Sequence, residues 1–394
     1  MNEAQYLFSL ENRGIKLGLQ RTIQLLAHCG DPHKKIKVIQ IIGTNGKGSS
    51  SAILNQLLKS SYKVGLYTSP HLCFFQERIR VDGTPISIKE VQRFLKKYKN
   101  IIEKLEASFF EVMTVMSAWF FVNKKVDYAI METGLGGKFD SVSACEPDLY
   151  GITSISMDHM HILGSDLKAI TQEKIGGIPS GSTIFSVLQK KIVKSEIQKY
   201  CINNNCELKA VNTNNKLQLS LEGAHQKENA SLAISIFKHI NPSYKRQDIE
   251  KSLLLIKWFG RNQTIEERPK IIFDVAHNES GILSFINNMK LEKTRYRKKY
   301  LLLSIQKNKK LDNIANHINS TFDEIIYSTT NKTKSMEFSQ IKSFFPQLIY
   351  IKDPSKSIKY ILAKAQEKDF IGIIGTHYWG PAVNRVFNIS FDNL

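Results

Sequence analysis

One segment near the start of the chain combines residue types that can hold a polyphosphate. It follows the apolar run 38–42 and reads Gly43-Thr44-Asn45-Gly46-Lys47-Gly48-Ser49. Glycines let backbone N–H groups turn towards an anion, a lysine ammonium reaches β- and γ-phosphates, and a serine hydroxyl can bind Mg²⁺. The spacing departs from the common G-x-x-x-x-G-K-[ST] form, because Gly48 separates Lys47 from Ser49. The segment predicts a strand, a phosphate-binding loop and a helix over residues 50–60, with a nucleoside triphosphate as the ligand.

Further predicted strands also end at polar side chains. The strands expected over residues 63–67, 126–131 and 149–154 are followed by Ser69, Glu132 and His159, respectively. In an open parallel sheet, ligands bind beyond the carboxyl ends of the strands. We therefore expect Ser49, Ser69, Glu132 and His159 to surround one bound nucleotide.

The pattern of apolar residues predicts an α/β protein with two domains. The first is a P-loop-type, mostly parallel sheet flanked by helices, and its helices are expected at two places within residues 2–29 and over 90–106, 111–122, 166–174, 224–239 and 246–255. The second is a smaller, Rossmann-like α/β domain with strands over 271–273, 300–304, 324–328, 348–351 and 370–374. Because 394 residues exceed what one core usually supports, we predict domains over 1–262 and 270–394 with a hinge at 263–269.

Composition and charge exclude several classes of protein. The net charge is +19, but the lysines are dispersed and are not interleaved with aromatic residues, so we expect no nucleic-acid partner. The five cysteines form no C-x-x-C pair, which argues against a zinc site or a disulfide framework. No apolar stretch is long enough for a membrane span, and the start of the sequence does not resemble a secretory signal, so a cytoplasmic location is expected.

An ordered series of motifs resembles the folylpolyglutamate synthase and dihydrofolate synthase family within the Mur ligase superfamily. Besides the phosphate loop, the motifs are Leu17-Gly18-Leu19-Gln20-Arg21, Thr68-Ser69-Pro70-His71-Leu72, Glu77-Arg78-Ile79, Gly134-Leu135-Gly136-Gly137, Asp158-His159, Leu163-Gly164, Glu173-Lys174, His225-Gln226 with Asn229, Phe259-Gly260-Arg261 and Asp274-Val275-Ala276-His277-Asn278. Each motif is weak alone, but their order along the chain is specific. The resemblance is dense up to about residue 280 and thins out afterwards.

The resemblance implies an ATP-dependent amide ligase, with an ATP-binding domain over 1–262 and a glutamate-ligase-type domain over 270–394. In such enzymes ATP phosphorylates a carboxylate of dihydropteroate or of a tetrahydrofolate, and the amine of L-glutamate attacks the acyl phosphate. The expected cofactor is Mg²⁺, as two ions, and the expected partners are small-molecule substrates only, bound by a monomer. A monofunctional folylpolyglutamate synthase is the alternative within the family.

The resemblance also assigns roles to individual residues. Catalytic roles fall to Lys47, Lys174 and His277, and Lys174 is expected to be carbamylated to N6-carboxylysine. ATP is expected to contact Thr44, Asn45, Gly46, Lys47, Gly48, Ser49, Asn229, Arg261 and Asp274. The metal ligands are expected to be Ser49, Ser69, Glu132 and His159. Dihydropteroate is expected to lie near Leu17, Gly18, Ser108, Phe110 and Asp140.

Five of these assignments have a structural alternative. Glu132 can cap a turn at a strand end, and His159 can be a hydrogen-bonded loop histidine. Lys174 can form a surface ion pair on its helix. Asp274 can stabilise a turn, and Phe110 can be part of the core.

Some positions depart from the family pattern. Lys138 replaces an arginine, Ser141-Val142-Ser143 replaces Ala-Thr-Asn, Glu279 replaces a proline, and Gln306-Lys307-Asn308-Lys309-Lys310 replaces an Asp-Lys-Asp segment. The first two changes affect the expected pteroate pocket, and the last makes the expected glutamate end of the site more basic.

Two competing functions remain. One is another Mur-type ligase that builds a peptidoglycan precursor, but only 42 residues precede Gly43, too few for the expected uridine-nucleotide domain. The other is a non-catalytic nucleotide-binding or nucleic-acid-associated protein, which predicts salt-sensitive nucleic-acid binding without phosphate release.

Overall fold

The computed structural model describes residues 2–14, 18–291, 295–307, 309 and 311–394. The chain forms two compact units. Unit 1 contains the chain up to Ser220 together with Gln226–Lys257 and Asp392–Leu394, and unit 2 contains Leu221–His225 and Trp258–Phe391.

The part of the chain before residue 258 alternates between strands and helices. Its strands are β1 (Lys37–Ile42), β2 (Val64–Tyr67), β3 (Ile79–Val81), β4 (Thr84–Pro85), β5 (Tyr128–Glu132), β6 (Leu149–Ile152), β7 (Thr183–Val187) and β8 (Glu207–Val211). Its helices are α1 (Glu3–Ser9), α2 (Gln20–His28), α3 (Lys47–Leu58), α4 (Ile88–Lys104), α5 (Phe109–Asn123), α6 (Met160–Leu163), α7 (Leu167–Ile175), α8 (Lys191–Asn203), α9 (His225–Ile240) and α10 (Arg246–Leu254).

In the described residues of unit 1, these strands form one sheet in the order β4-β3-β2-β5-β1-β6-β7-β8. The run from β2 to β8 in this order is parallel, whereas β3 and β4 add to the edge in antiparallel orientation. β1 lies between β5 and β6, with Ile41 opposite Glu132 and Ile42 opposite Ile152. Because β2, β5, β1 and β6 are parallel, the loops that follow them all lie at the carboxyl ends of the strands, on the same side of the sheet.

Helices cover both faces of this sheet, which explains why β1 is buried on both sides from Val38 onwards. One buried cluster joins α1, α2, α4 and α5 to the sheet, and another joins β6 and β7 to α7 and α8. α5 is buried almost throughout, as its continuous apolar sequence predicts. Side-chain oxygens of Ser87 and Asp166 accept backbone N–H groups at the starts of α4 and α7.

Unit 2 carries a second, smaller sheet. Its elements are β9 (Gln263–Glu267), β10 (Lys270–Phe273), α11 (Glu279–Leu291), β11 (Lys299–Leu303), α12 (Ala315–Thr321), β12 (Glu324–Tyr327), α13 (Phe338–Phe344), β13 (Ile349–Tyr350), α14 (Pro354–Lys364), β14 (Phe370–Ile374) and α15 (Gly380–Phe387). The strand order in the described residues is β13-β12-β11-β14-β10-β9, parallel except for β9, which is antiparallel to β10. A buried apolar cluster packs α11, α12 and α13 against this sheet.

The predicted α/β fold class is confirmed, and so are the strands and helices expected from strong periodicity. α8, β7 and β8 were not predicted, because only Val193, Ile197 and Cys201 of α8 are buried and its apolar pattern is weak. Residues 263–267, expected in a hinge, form β9 of the second sheet. The domain boundaries at 262 and 270 stay a prediction. Among the described residues, no helix has both the length and the apolar character needed to cross a membrane.

Candidate active site

The phosphate-binding loop connects β1 to α3, as predicted, and two of its glycines are packed against other segments of unit 1. Gly43 has φ +148°, and a Cβ atom there would lie 1.9 Å from Oγ1 of Thr153. Gly46 has φ +87°, and a Cβ atom there would lie 2.2 Å from Oδ1 of Asn229. Both positions require glycine, because a side chain would have neither an accessible backbone conformation nor space. Asn229 therefore lies directly behind the loop.

The segment after β6 holds the other side of the loop. The backbone N–H of Thr44 donates to the carbonyl of Ser154 at 2.9 Å. The hydroxyl of Thr44 donates to the carbonyl of Ser156 and accepts the N–H of Ser156, both at 3.1 Å. These contacts hold Thr44 in place before α3 begins.

Lys47, Ser69 and Glu132 are brought together, as the strand order predicts. The backbone N–H of Ser69 donates to Oε2 of Glu132 at 3.0 Å. The ammonium of Lys47 lies 3.9 Å from Oε1 of Glu132 and 3.2 Å from the carbonyl of Thr44. Ser49 is buried in the first turn of α3. A buried carboxylate and a lysine thus stand beside a helix N-terminus, which is itself attractive to anions.

His159 lies in the loop after β6, which is at the same carboxyl ends of the parallel strands. Its backbone has φ +50°, and its N–H donates to Oδ1 of Asp158 at 2.8 Å. Its Nε2 lies 3.9 Å from Oδ2 of Asp158, and its ring lies 6.2 Å from that of His161. The predicted role of His159 as a metal ligand stays a prediction.

Lys174 is buried in the last turn of α7 and points at the phosphate loop. Its ammonium donates to the carbonyl of Gly43 at 2.8 Å. Burial, reinforced by the nearby Lys47, lowers the pKa of Lys174 to about 7, although the carboxylates of Asp158, Asp140 and Glu173 act in the opposite direction. Near neutral pH, a substantial fraction of this amine is therefore uncharged and nucleophilic.

Asp140 shapes the glycine loop that follows β5. Its Oδ2 accepts the N–H groups of Gly134 and Leu135, and its Oδ1 accepts that of Val142, all within 3.0 Å. Burial raises the pKa of Asp140, while these three hydrogen bonds lower it. The ring of Phe110 lies nearby, since a Cβ atom on Gly134 would be 3.7 Å from its Cδ1.

The expected dihydropteroate residues at the start of α5 are held by an ion pair. Oε2 of Glu111 accepts the N–H of Ser108 at 2.7 Å, and Oε1 of Glu111 pairs with Nε of Arg21 at 3.0 Å. Ser108 is thus the N-cap of α5, and Phe110 projects from the first turn with 42% of its surface exposed. Gly18 has open space around it, and Leu17 lies outside the described residues.

Lys138 and Ser143, two of the departures from the family pattern, have defined contacts. The N–H of Lys138 donates to the carbonyl of Glu173 at 2.9 Å. The hydroxyl of Ser143 donates to the carbonyl of Gly137 at 2.7 Å and accepts from Nε2 of Gln40 at 3.1 Å. Both positions therefore support the glycine loop. Of the residues 306–310, Asn308 and Lys310 lie outside the described part of the chain.

Two supporting residues received no role from the sequence: Glu77, which was noted only as part of a motif, and Gln40, which was not singled out within the apolar run 38–42. Glu77 is buried in a 3₁₀ turn, and its carboxylate accepts the N–H groups of Leu72, Cys73 and Phe74 at 2.7–2.9 Å. Gln40, a buried polar residue in the apolar β1, donates to the hydroxyl of Thr133 at 2.9 Å. The polar residue within an apolar strand was a usable signal for Gln40.

The predicted site residues of unit 2 follow β10. Asp274 is buried, and its carboxylate accepts the N–H groups of Asn262 and Ala276, both at 2.7 Å. Burial raises the pKa of Asp274, against the attraction of Arg261 and His225. Nδ1 of His277 lies 2.9 Å from the carbonyl oxygen of Val275.

The donor set of unit 1 suits a hard cation. Two hydroxyls, one buried carboxylate and one imidazole are predicted ligands, and Mg²⁺ is usually held by few protein groups and several waters. The described residues contain no group of three or more His, Cys, Asp or Glu side chains able to hold a metal ion.

Comparisons with known proteins identify the relatives of this chain. Residues 260–377 match the family described as Mur ligase, glutamate ligase domain. The dihydrofolate synthase/folylpolyglutamate synthase of Bacillus subtilis is 31% identical over 404 residues, covering 93% of this chain and 94% of the relative.

Solved structures share the fold over the whole chain. A Mycobacterium tuberculosis folylpolyglutamate synthase complexed with ADP superposes with a TM-score of 0.90 at 21% identity, covering 99% of this chain and 100% of the other. A bifunctional folylpolyglutamate synthase/dihydrofolate synthase from Yersinia pestis, complexed with AMPPNP and Mn ion, gives 0.87 at 23% identity, with 99% and 98% coverage. Given the extent and level of identity with the Bacillus relative, the chain belongs to the dihydrofolate synthase/folylpolyglutamate synthase family.

Proposed function

We propose that this chain is an ATP-dependent ligase that adds L-glutamate to dihydropteroate and to the γ-carboxylate of tetrahydrofolates. Family membership supports the reaction class. The observation that carries the proposal is the position of Lys47 and Glu132 beside the phosphate loop, with the buried amine of Lys174 bonded to that loop.

The proposed reaction has two steps. A carboxylate oxygen of the acceptor bonds to the γ-phosphorus of ATP as the bond to the ADP oxygen breaks, giving an acyl phosphate and ADP. The amine nitrogen of glutamate then bonds to the acyl carbon, phosphate leaves, and the nitrogen loses its extra proton. The product is the amide.

The first step requires two anions to meet. The N-terminus of α3 and the ammonium of Lys47 supply positive charge where the triphosphate is expected. Two Mg²⁺ ions, held by Ser49, Ser69, Glu132 and His159, would neutralise phosphate charge when bound. Thr44, Asn45, Gly46 and Gly48 are proposed to surround the phosphates. Asn229 is proposed to contact adenine, and its close packing on Gly46 supports a position near the nucleotide.

We further propose that Lys174 is carbamylated. The unprotonated amine attacks carbon dioxide, forms a nitrogen–carbon bond and releases one proton, which leaves N6-carboxylysine. A pKa of about 7 supports this, because the neutral amine is the reactive form. Native mass spectrometry in bicarbonate buffer should detect a carbon dioxide adduct that Lys174→Gln removes and Lys168→Gln, an exposed position on the same helix, retains.

The remaining roles follow the family resemblance. Gly18, Ser108, Phe110 and Asp140 are proposed to bind dihydropteroate, together with Leu17. In unit 2, Arg261 and Asp274 are proposed to bind nucleotide, and His277 to act in catalysis. We also propose a cytoplasmic monomer that binds neither nucleic acid nor membrane, and light scattering after gel filtration tests the monomer.

The decisive experiment measures phosphate release with ATP and L-glutamate while dihydropteroate and tetrahydrofolate are offered separately. Turnover with both acceptors supports the bifunctional enzyme. Turnover with tetrahydrofolate alone indicates the monofunctional folylpolyglutamate synthase. Turnover with neither, when protein and Mg²⁺ are sufficient, overturns the assignment and favours a different Mur-type acceptor.

A further inference from the structure

Unit 1 contains a group of ring side chains that we call the aromatic cluster, made of Phe8, His71, Phe75, Phe109 and Phe110. The rings of Phe8 and Phe109 stack at 5.8 Å with an interplanar angle of 17°. Phe75 meets Phe8 edge-on at 6.1 Å, and His71 lies 6.0 Å from Phe8. Phe110 meets Phe109 edge-on at 5.5 Å. These separations are those of favourable aromatic pairs.

The members of the cluster differ sharply in exposure. Phe75 and Phe109 are 3% and 1% exposed, whereas Phe8 and Phe110 keep 38% and 42% of their surface accessible. α1 buries Tyr6 and Leu7 in the core, so Phe8 is on a different face of this helix. Tyr6 and Leu7 therefore anchor α1, while the ring of Phe8 packs on Phe75 and Phe109 and stays partly exposed.

The cluster is continuous with the proposed acceptor site. The guanidinium of Arg78 lies 5.2 Å from the ring centre of Phe109 and 5.4 Å from that of Phe110, and its Nε donates to Nδ1 of His71 at 2.9 Å. Phe110 borders Gly134, whose N–H is bonded to Asp140. An unbroken set of contacts therefore runs from Asp140 through Phe110 and Phe109 to Phe8.

We propose that Phe8 is a specificity-determining residue that contacts the aromatic part of the acceptor. This inference rests on the proposed function. The acceptor carries two planar groups, a fused pterin ring and a benzoyl ring, and it must leave its carboxylate free to reach the triphosphate. Phe110, next to the glycine loop, suits the nearer ring, and Phe8, whose inner side is stacked on Phe109, offers a pre-oriented ring for the farther one.

A purely structural role for Phe8 makes different predictions. If Phe8 only shields Phe109, its removal lowers stability and the apparent kcat through the loss of folded enzyme, and it leaves both KM values unchanged, because KM does not depend on the concentration of active enzyme. If Phe8 binds the acceptor, its removal raises the KM for the acceptor and leaves the KM for ATP unchanged. The reason is that the lost contact stabilises the bound acceptor equally in the ground state and in the transition state.

The test compares Phe8→Ala with Phe8→Tyr and with Tyr360→Ala, a matched control on α14 that is 40% exposed. KM values for dihydropteroate and for ATP, kcat and thermal unfolding are measured for each variant. We expect Phe8→Ala to raise the KM for dihydropteroate roughly tenfold, with kcat and the KM for ATP within about twofold of wild type. Phe8→Tyr, which keeps the ring, should restore the low KM, and Tyr360→Ala should not change it.

A direct binding measurement separates folding from recognition. Dihydropteroate is titrated into each variant in the absence of glutamate, at a temperature well below the unfolding midpoint. A weaker affinity for Phe8→Ala alone supports the inference, and an unchanged affinity and KM overturn it. Absence of turnover in the wild-type chain would instead refute the proposed function, so the two failures are distinguishable.

Discussion

The ammonium of Lys174 donates a 2.8 Å hydrogen bond to the carbonyl oxygen of Gly43, the first glycine of the phosphate loop. This bond connects the end of α7 to the start of the loop. Because Lys174 is buried and close to Lys47, its positive charge is held at a cost, and its pKa falls to about 7. The protonation state of the Lys174 amine can therefore affect the position of the phosphate loop.

Stability should depend on pH through Lys174. Its pKa falls from the ordinary 10.5 in the unfolded chain to about 7 in the folded chain, so the unfolded chain binds more protons between these values. The stability gained with the neutral amine is present above pH 10.5 and is lost as pH falls towards 7. In carbon-dioxide-free buffer, urea unfolding should show that the free energy of unfolding of wild type rises relative to that of Lys174→Met as pH increases from 7 to 9. A pH-independent difference between wild type and Lys174→Met would contradict this prediction.

Replacing Gly137 should disturb α7 and the glycine loop together. A Cβ atom at Gly137 would lie 1.8 Å from the carbonyl oxygen of Lys174, and a backbone atom cannot move aside cheaply. Gly137→Ala should lower the free energy of unfolding by about 2–3 kcal/mol and reduce turnover. Gly134→Ala is the matched control in the same loop, because its nearest neighbour would be 3.4 Å away. Equal unfolding midpoints for the two variants would argue against the close packing.

Glu77 should be essential for the shape of the segment that carries Ser69 and His71. Glu77→Gln removes the charge that three backbone N–H groups share and places an amide donor against at least one of them. We expect a loss of about 2 kcal/mol in unfolding free energy and a higher KM for the acceptor. Glu367→Gln, at an exposed position in unit 2, serves as the control. Wild-type stability in Glu77→Gln would show that the segment is held by other contacts.

Lys47→Met and Glu132→Gln should abolish phosphate release without unfolding the protein. Lys47 is expected to neutralise phosphate charge, and Glu132 is a proposed metal ligand, so each change should lower kcat by about 100-fold or more. Circular dichroism checks the fold, and Lys63→Met, an exposed lysine beside β2, is the control. Near-normal kcat in either variant would mean that the site has been assigned to the wrong residues.

Removal of divalent metal should stop the reaction reversibly. Chelation with EDTA is expected to eliminate phosphate release, and added Mg²⁺ or Mn²⁺ should restore it. Glu132→Gln should require more metal for half-maximal activity wherever residual turnover can be measured. Full activity after exhaustive chelation would contradict a metal-dependent first step.

Several residues show how far a single sequence can be interpreted. The positions of Ser69 and Glu132 after predicted strands, and the parallel order expected for those strands, were enough to predict that they meet. Ser108 was expected near the acceptor, and the structure adds that it caps α5; the spacing of Ser108 and Glu111 is that of a capping box, a local signal that the sequence already carried. Phe8 carried no signal, because an exposed phenylalanine on a short helix gains its meaning only from rings contributed by distant segments.

By itself, the sequence determined the α/β class, the phosphate loop and the family, because periodicity and motif spacing are local properties that can be seen in the linear sequence. Only the tertiary structure decided the burial of Lys174, the triple hydrogen bonding of Glu77 and the extension of the aromatic cluster to Phe8. Burial, electrostatics and side-chain packing depend on residues that lie far apart in the chain. Those residues come into contact only when the sheet and its helices have assembled.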